Sequence, residues 1–232
     1  MKIDTAVVLA GGAGDRLRPL TNDIPKAMVE IKNKPLLQWV IEWLKRNDVI
    51  EIVLGVAHLK DKIIDYFGDG SPFGVHIKYS VHSVEGGTGE GFRLAISRYV
   101  DRSPFFAMNG DQITDLNLSD LASFHMNNNV VATMAIAKLR CPYGHVEIDD
   151  ESNVVGFTEK PVCLHMSCNS GIYVFDRKIL SYLPKQGDIE KTAFLALAKA
   201  HLLKAYIYNG LFVTVNTHKD LSEVKQQLEA TA

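Results

Sequence analysis

Apolar residues in this chain follow two rhythms. Short runs rich in β-branched and other apolar residues, at 6–10, Glu51–Val56, 77–80 and 105–108, read as buried strands. Between them apolar residues return every three or four positions. Leu36, Leu37, Val40, Ile41 and Leu44 do so behind Pro35, Ile63, Ile64 and Phe67 do so ahead of Gly68, and Phe92, Ala95, Ile96 and Tyr99 form a third set. Each set predicts an amphipathic helix, the first opened by a proline and the second closed by a glycine. Strand alternating with helix predicts an α/β chain whose mainly parallel sheet carries helices on both faces. Ligands of such sheets bind beyond the carboxyl ends of the strands.

Past residue 128 the rhythm changes. Residues 130–137, 143–148, 154–161 and 172–175 read as strands in succession, and the polar run 149–153 predicts a hairpin turn between two of them. Ser119 is the predicted N-cap of a helix through Leu121 and Phe124. Helices are predicted over 178–183 and 189–200, the latter with Asp188 to Lys191 as a capped, acidic first turn. A last strand over 212–216 leads to a terminal helix. The organisation expected is a single domain over 1–232, with halves at about 1–128 and 129–232 and an antiparallel lobe in the second. No repeat or hexapeptide tail is visible, so a C-terminal β-helix is not expected.

Composition changes this picture little. Hydrophobic residues make up 47% and charged residues 22% of the 232, and the net charge is −2. That balance gives no general attraction to nucleic acid or to a membrane surface, so any phosphate binding must come from local arrangement. Cys141, Cys163 and Cys168 lack a paired zinc spacing and read as incidental thiols of a reducing compartment. With no run of ~20 apolar residues, the reading is a cytoplasmic protein.

Candidate chemistry starts where the first strand breaks into glycine: Leu9-Ala10-Gly11-Gly12-Ala13-Gly14-Asp15-Arg16-Leu17-Arg18-Pro19-Leu20-Thr21, then Pro25-Lys26. Glycines leave backbone N–H groups uncovered for phosphate, and Arg16, Arg18 and Lys26 supply positive charge. Leu17 stands where a dinucleotide fingerprint needs a small residue, and no P-loop lysine motif occurs here. A second glycine-rich segment runs from His82 to Gly91 and includes Glu85, Gly87 and Thr88. Asp111, after Asn109-Gly110 at a strand end, suits a hard cation beside a phosphate, although the same residues also make ordinary turns.

The first of these stretches resembles the signature of the sugar-1-phosphate nucleotidyltransferases, or nucleoside-diphospho-sugar pyrophosphorylases. It departs from that signature at Asp15, where Thr is usual, and at Ala27, where Pro is usual. The resemblance extends over nearly the whole chain, through Gly87-Thr88, Asn109-Gly110-Asp111, Tyr143-Gly144, Glu159-Lys160-Pro161 and Asn169-Ser170-Gly171. It implies a Rossmann-like three-layer α/β sandwich of the nucleotide-diphospho-sugar transferase type, with a small antiparallel sugar-facing lobe. It further implies that a phosphate oxygen of a sugar 1-phosphate attacks the α-phosphorus of a nucleoside triphosphate in line and expels pyrophosphate.

By position, the implied nucleotide-binding residues are Leu9, Ala10, Gly11, Gly12, Gly14, His82, Glu85, Gly87, Thr88 and Asp111. Arg16, Lys26 and Asp111 would act on the reacting phosphates, and Gly144, Glu159, Lys160 and Asn169 would hold the sugar phosphate. Mg²⁺ would sit on Asp111 and on Asn216, where most of the family has Asp but uridylyltransferases acting on N-acetylglucosamine 1-phosphate also use Asn. The residues themselves leave the base open: a carboxylate such as Glu85 suits guanine, whereas a neutral donor–acceptor pair suits uracil or thymine, and His82 reads equally as a packed imidazole. Likeness to short mannose-1-phosphate guanylyltransferases favours GTP with mannose 1-phosphate or a similar hexose or heptose 1-phosphate. Uridylyl or thymidylyl transfer, a phosphocholine cytidylyltransferase, and a non-catalytic sugar-nucleotide-binding regulator stand as alternatives. A homo-oligomer is compatible with all of them.

Overall fold

The computed structural model describes residues 2–141 and 143–230. In chain order, β1 (Thr5–Leu9), β2 (Glu30–Ile31), β3 (Lys34–Pro35), α1 (Leu36–Arg46), β4 (Glu51–Val56), α2 (Lys60–Phe67), β5 (His76–Val81) and α3 (Gly87–Tyr99) come first. Then follow β6 (Phe105–Asn109), β7 (Gln112–Thr114), α4 (Leu118–Met126), β8 (Ala132–Arg140), β9 (His145–Ile148), β10 (Val154–Thr158) and β11 (Val162–Phe175). The chain closes with α5 (Ala193–Lys199), β12 (Leu203–Tyr208), β13 (Phe212–Thr214) and α6 (His218–Ala230).

Seven strands form the central sheet in the order β12-β8-β11-β6-β1-β4-β5. β1 pairs in parallel with β4 and β6, β4 with β5, and β8 with β12; only β11 runs against its neighbours. The sheet is therefore mixed and mostly parallel, as the alternating pattern requires. Its side chains divide by strand parity. Ala6 and Val8 join Leu37, Ile41, Phe67 and Leu121 on one face, while Val7 joins Phe92, Ile96, Phe175 and Leu197 on the other. Helices α1, α2 and α4 cover the first face, and α3 and α5 cover the second, which gives three layers.

The second face is aromatic. Phe175 is fully buried, stacks on Tyr173 with ring centroids 5.2 Å apart, and meets Phe92 and Phe105 edge-on. Phe175→Ala is expected to destabilise the protein by about 3–5 kcal/mol through lost burial and the cavity left behind. Urea unfolding of the two proteins checks this; a loss under about 1 kcal/mol would mean that this layer relaxes into the space.

Several local features differ from the sequence reading. The cap of α4 is Asn117, whose side chain accepts from the N–H groups of Ser119 and Asp120, because the helix starts at Leu118 and not beyond Ser119. Residues Arg177–Ser181 and Ile189–Lys191 form 3₁₀ turns, and only Ala193–Lys199 is α-helical in that stretch. Asp188 stands at the cap position but gives no side-chain cap there. The strand expected over 212–216 forms as β13 (Phe212–Thr214), whereas the sheet edge strand β12 and β13's short partner β7 have no pattern of their own; neighbours far away in sequence decide their pairing. The hairpin expected around 149–153 forms as the separate antiparallel pair β9–β10.

A third cluster decides where the site residues stand. Leu17 of the glycine stretch, Ile113 of β7, Val215 and Leu221 of α6 are packed together with Leu36. The loop after β1 and the segment after β13 are thereby pinned side by side, although 200 residues separate Arg16 from Asn216.

Candidate active site

The glycine stretch leaves β1 at the carboxyl end of the sheet. Ala10 N–H donates to Gly55 O, and Gly110 N–H donates to Leu9 O, so the loop and the Asn109-Gly110-Asp111 turn start from adjacent strands. Gly14 is left-handed at φ 74°, and a Cβ there would come within 3.0 Å of the Lys26 Cβ. Glycine at 14 thus lets the loop fold back until Lys26 lies against it. Thr21 Oγ1 donates to Gly14 O at 2.8 Å and closes the fold-back.

Four of the predicted residues converge. Lys26 Nζ donates to Asp111 Oδ2 at 2.5 Å and to Asn216 Oδ1 at 2.7 Å, and Arg16 Nη2 donates to the same Asn216 oxygen at 3.0 Å. The Lys26 and Asp111 side chains are mostly buried, 13% and 24% exposed, whereas Arg16 is exposed. Asp111 Oδ1 is buried with no partner in the protein. A carboxylate with one satisfied oxygen and one bare oxygen is an acceptor in reserve, which suits a cation or a donor brought by a ligand.

Beside this cluster opens a cavity of about 290 Å³. Leu9, Ala10, Gly11, Gly12, Lys26, His82, Gly87, Thr88 and Asp111, all predicted, line it together with Ala27, Val84, Asn109, Gly110 and Asp188. Its wall opposite the glycine loop is the start of α3, clamped by the segment before α5. Gly187 N–H donates to Gly86 O, Gly89 N–H to Gly187 O, and Ile189 N–H to Thr88 Oγ1, which in turn donates to Glu190. Gly87 is left-handed at φ 71°, and a Cβ there would lie 2.7 Å from the Gly187 backbone, so only glycine allows this clamp.

His82 sits beneath the glycine loop. Its Nδ1 must donate to Ser83 O at 2.9 Å, since a carbonyl only accepts, and Nε2 is left buried and unpartnered. A Cβ on Gly11 would lie 2.7 Å from Nε2, so glycine at 11 makes room for the imidazole, while the Cβ position of Gly12 is open. Glu85 is exposed and its nearest polar partner is Ser83 Oγ at 3.4 Å.

The predicted sugar-side residues fall into two groups. Asn169 lies in β11, accepts from Gly171 N–H and donates to Tyr173 OH; a Cβ at Gly171 would approach the Asn109 amide to 2.8 Å, so this group borders the cavity wall. Gly144 and Glu159 face one another at the open end of the β9–β10 hairpin, and Lys160 pairs with Glu159 at 3.5 Å. Among the described residues, no hydrogen bond or ion pair joins this second group to Lys26 or Asp111.

Two further residues acquire their place at the site in three dimensions. Asp220 accepts from the N–H groups of Asn216 and Thr217 at 2.9 and 2.8 Å, and Thr217 Oγ1 accepts from Asp220 N–H. This reciprocal cap holds Asn216 toward Lys26, and its Thr-x-x-Asp spacing was visible in the sequence. Asp188 lines the cavity, and its hydrogen bond from Lys191 holds its carboxyl below the usual carboxylate range. Asp15 turns aside: its carboxylate pairs with Arg18 at 2.8 Å.

An Mg²⁺ ion fits this donor set in chemistry. Asp111 and Asn216 offer hard oxygens, one of them bare, but two protein oxygens leave most of the shell to phosphate and water. Among the described residues there is no cluster of three or more His, Cys, Asp or Glu able to hold a metal unaided, and no helix long and apolar enough to cross a membrane.

Known proteins resemble this chain over most of its length. The sequence profile of the family described as nucleotidyl transferase matches residues 5–231. A UTP–glucose-1-phosphate uridylyltransferase of Synechocystis is 34% identical over 77% of the chain and 50% of its own length. A mannose-1-phosphate guanylyltransferase catalytic subunit beta of Dictyostelium discoideum is 35% identical over 93% of the chain and 62% of its own length. The chain therefore spans only half to about three fifths of these curated relatives. Among solved structures, HddC from Yersinia pseudotuberculosis complexed with GMP-PN superposes with a TM-score of 0.76 at 26% identity, covering 97% of this chain and all of that one.

Proposed function

The chain belongs to the nucleotidyl transferase family, and from that premise we propose that it transfers a nucleotidyl group from a nucleoside triphosphate to a sugar 1-phosphate. Pyrophosphate leaves, and an NDP-sugar forms. The preferred pair in this reading is GTP with mannose 1-phosphate, supported by the relatives named as mannose-1-phosphate guanylyltransferases and by the HddC complex with GMP-PN. Uridylyl transfer to glucose 1-phosphate is the second reading, supported by the Synechocystis relative.

The observation that carries the proposal is the convergence of Lys26, Arg16, Asp111 and Asn216 at one end of the cavity that Gly11, Gly12, His82 and Thr88 line. Here the base and ribose occupy the cavity between the glycine loop and the start of α3. Gly12, whose Cβ direction is open, lets the backbone approach the triphosphate. Lys26 holds the α-phosphate, Arg16 takes up charge on the departing pyrophosphate, and the exposed side of Asn169 meets the sugar. Gly144, Glu159 and Lys160 close over the sugar phosphate from the hairpin. When bound on Asp111 and Asn216, Mg²⁺ supplies neutralisation of the phosphate charge. A new P–O bond forms to the sugar phosphate as the α–β bridging P–O bond breaks, so no covalent enzyme intermediate is required.

Pyrophosphate release, measured for each of GTP, UTP, dTTP, CTP and ATP against sugar 1-phosphates and phosphocholine, tests the proposal. Turnover with a sugar phosphate supports it. Turnover with phosphocholine and CTP alone moves the chain to another acceptor, and nucleotide binding without turnover makes it a regulator. In the same assay Arg16→Ala is expected to lose on the order of 10²-fold in kcat, with a melting temperature close to wild type because its side chain is exposed and gives up one exposed hydrogen bond, to Asn216. Near-normal turnover in that variant would remove Arg16 from the reaction.

A further inference from the structure

We propose that Lys26 holds the divalent-cation position of the ligand-free protein, so that a cation binds there only after nucleotide phosphates have drawn the ammonium away. The inference rests on the nucleotidyl-transfer reading and adds to it an order of binding.

Its basis is the geometry around one nitrogen. Asp111 Oδ2 and Asn216 Oδ1, the two oxygens expected to meet Mg²⁺, lie 2.5 and 2.7 Å from Lys26 Nζ, and so no more than about 5 Å from each other. Both aim at a point that a cation already fills. Lys26 is well anchored: it opens the 3₁₀ turn Lys26–Met28 behind Pro25, its carbonyl accepts from Val29 N–H, and its Cβ rests on Gly14. Its side chain is 13% exposed. Asp111 Oδ1, the oxygen left over, is sealed from solvent and unpartnered, so with Lys26 in place it cannot recruit an ion from water.

Charge points the same way. Lys26 and Arg16 bring two positive charges to oxygens that carry one negative charge, because residue 216 is an amide and not a carboxylate. The ligand-free cluster is thus net positive and repels a divalent ion, where an Asp at 216 would have left it neutral. A triphosphate reverses the balance. It competes for both Lys26 and Arg16, and each group it engages returns negative charge to the Asp111–Asn216 pair. By linkage, whatever the nucleotide does for cation affinity the cation does for nucleotide affinity. The amide at 216 therefore makes the site selective for metal arriving with nucleotide over metal alone.

The test uses Mn²⁺, whose free concentration is read by electron paramagnetic resonance, on the nucleotide-free chain. Lys26→Met and Lys26→Gln are compared with wild type, each checked for folding by its melting curve; the glutamine variant retains a donor for Asp111 should the methionine variant fail to fold. Lys26→Met is expected to bind Mn²⁺ at least ~10-fold more tightly than wild type, and adding Asp111→Asn to it should abolish the gain. Equal affinity in wild type and both variants would overturn the proposal while leaving the Asp111–Asn216 metal reading intact. If the Lys26 variants bind no Mn²⁺ either, the proposal falls together with that metal reading. Pyrophosphate release by wild type, measured separately, reports on the transfer reading itself.

Discussion

Asp111→Asn should lower kcat for pyrophosphate release by on the order of 10³-fold, because it removes the carboxylate that Lys26 meets beside Asn216 and Arg16 while changing a single atom type. The fold should tolerate the change. An amide oxygen can still accept from Lys26, and Asp111 backbone O still receives Val215 N–H. Melting temperature should therefore stay close to wild type, which separates loss of chemistry from loss of structure. The diagnostic measurement is kcat against Mg²⁺ concentration. A ligand role predicts a midpoint moved to higher Mg²⁺, with saturation restoring only part of the rate. A fall in kcat with no change in the Mg²⁺ midpoint would assign Asp111 to orienting Lys26 alone, and retention of most activity would exclude both roles.

Lys26→Met carries the second large effect, also on the order of 10³-fold in kcat/KM, since an ammonium positioned on a reacting phosphate acts mainly in the transition state. Here stability should suffer. Deleting the donor leaves both Asp111 oxygens without a protein partner in a mostly buried position, a loss of about 1–3 kcal/mol. Kinetics must therefore be measured well below the variant's melting temperature. Lys26→Arg offers a control, because it keeps the charge but not the compact point geometry that fits between two oxygens. Partial recovery by arginine would mean charge dominates; no recovery would mean that placement does. Wild-type kcat/KM in Lys26→Met would end the proposed role, whatever the metal-binding result.

What the residues reveal of the fold divides along distance in sequence. The strands at 6–10 and Glu51–Val56 and helix α1 were legible because burial imposes a period of two or of three to four on the chain itself. The glycine stretch and the Asn109-Gly110-Asp111 turn were legible because a strand that runs into glycine announces an exposed backbone. The clamp between Gly86–Gly89 and Gly187–Glu190 was not legible. Nothing in Asp188-Ile189-Glu190 distinguishes a residue that caps its own turn from one that meets a loop 100 residues earlier. For the same reason β12 and β7 are not legible in the sequence: their stability comes from partners and not from their own periodicity.

By itself, then, the amino-acid order determined the α/β class and the cationic glycine turn after the first strand, because short-range backbone chemistry and burial period are written locally, whereas Asn216 is singled out only by resemblance to the family. Tertiary structure alone decided that Leu17, Ile113, Val215 and Leu221 pack into one cluster, that this cluster draws Asn216 beside Arg16, and that Lys26 rests between the two oxygens expected to hold a cation. Those distances depend on close packing among residues up to 200 positions apart, and packing of that kind is a property of the assembled core that no local segment encodes.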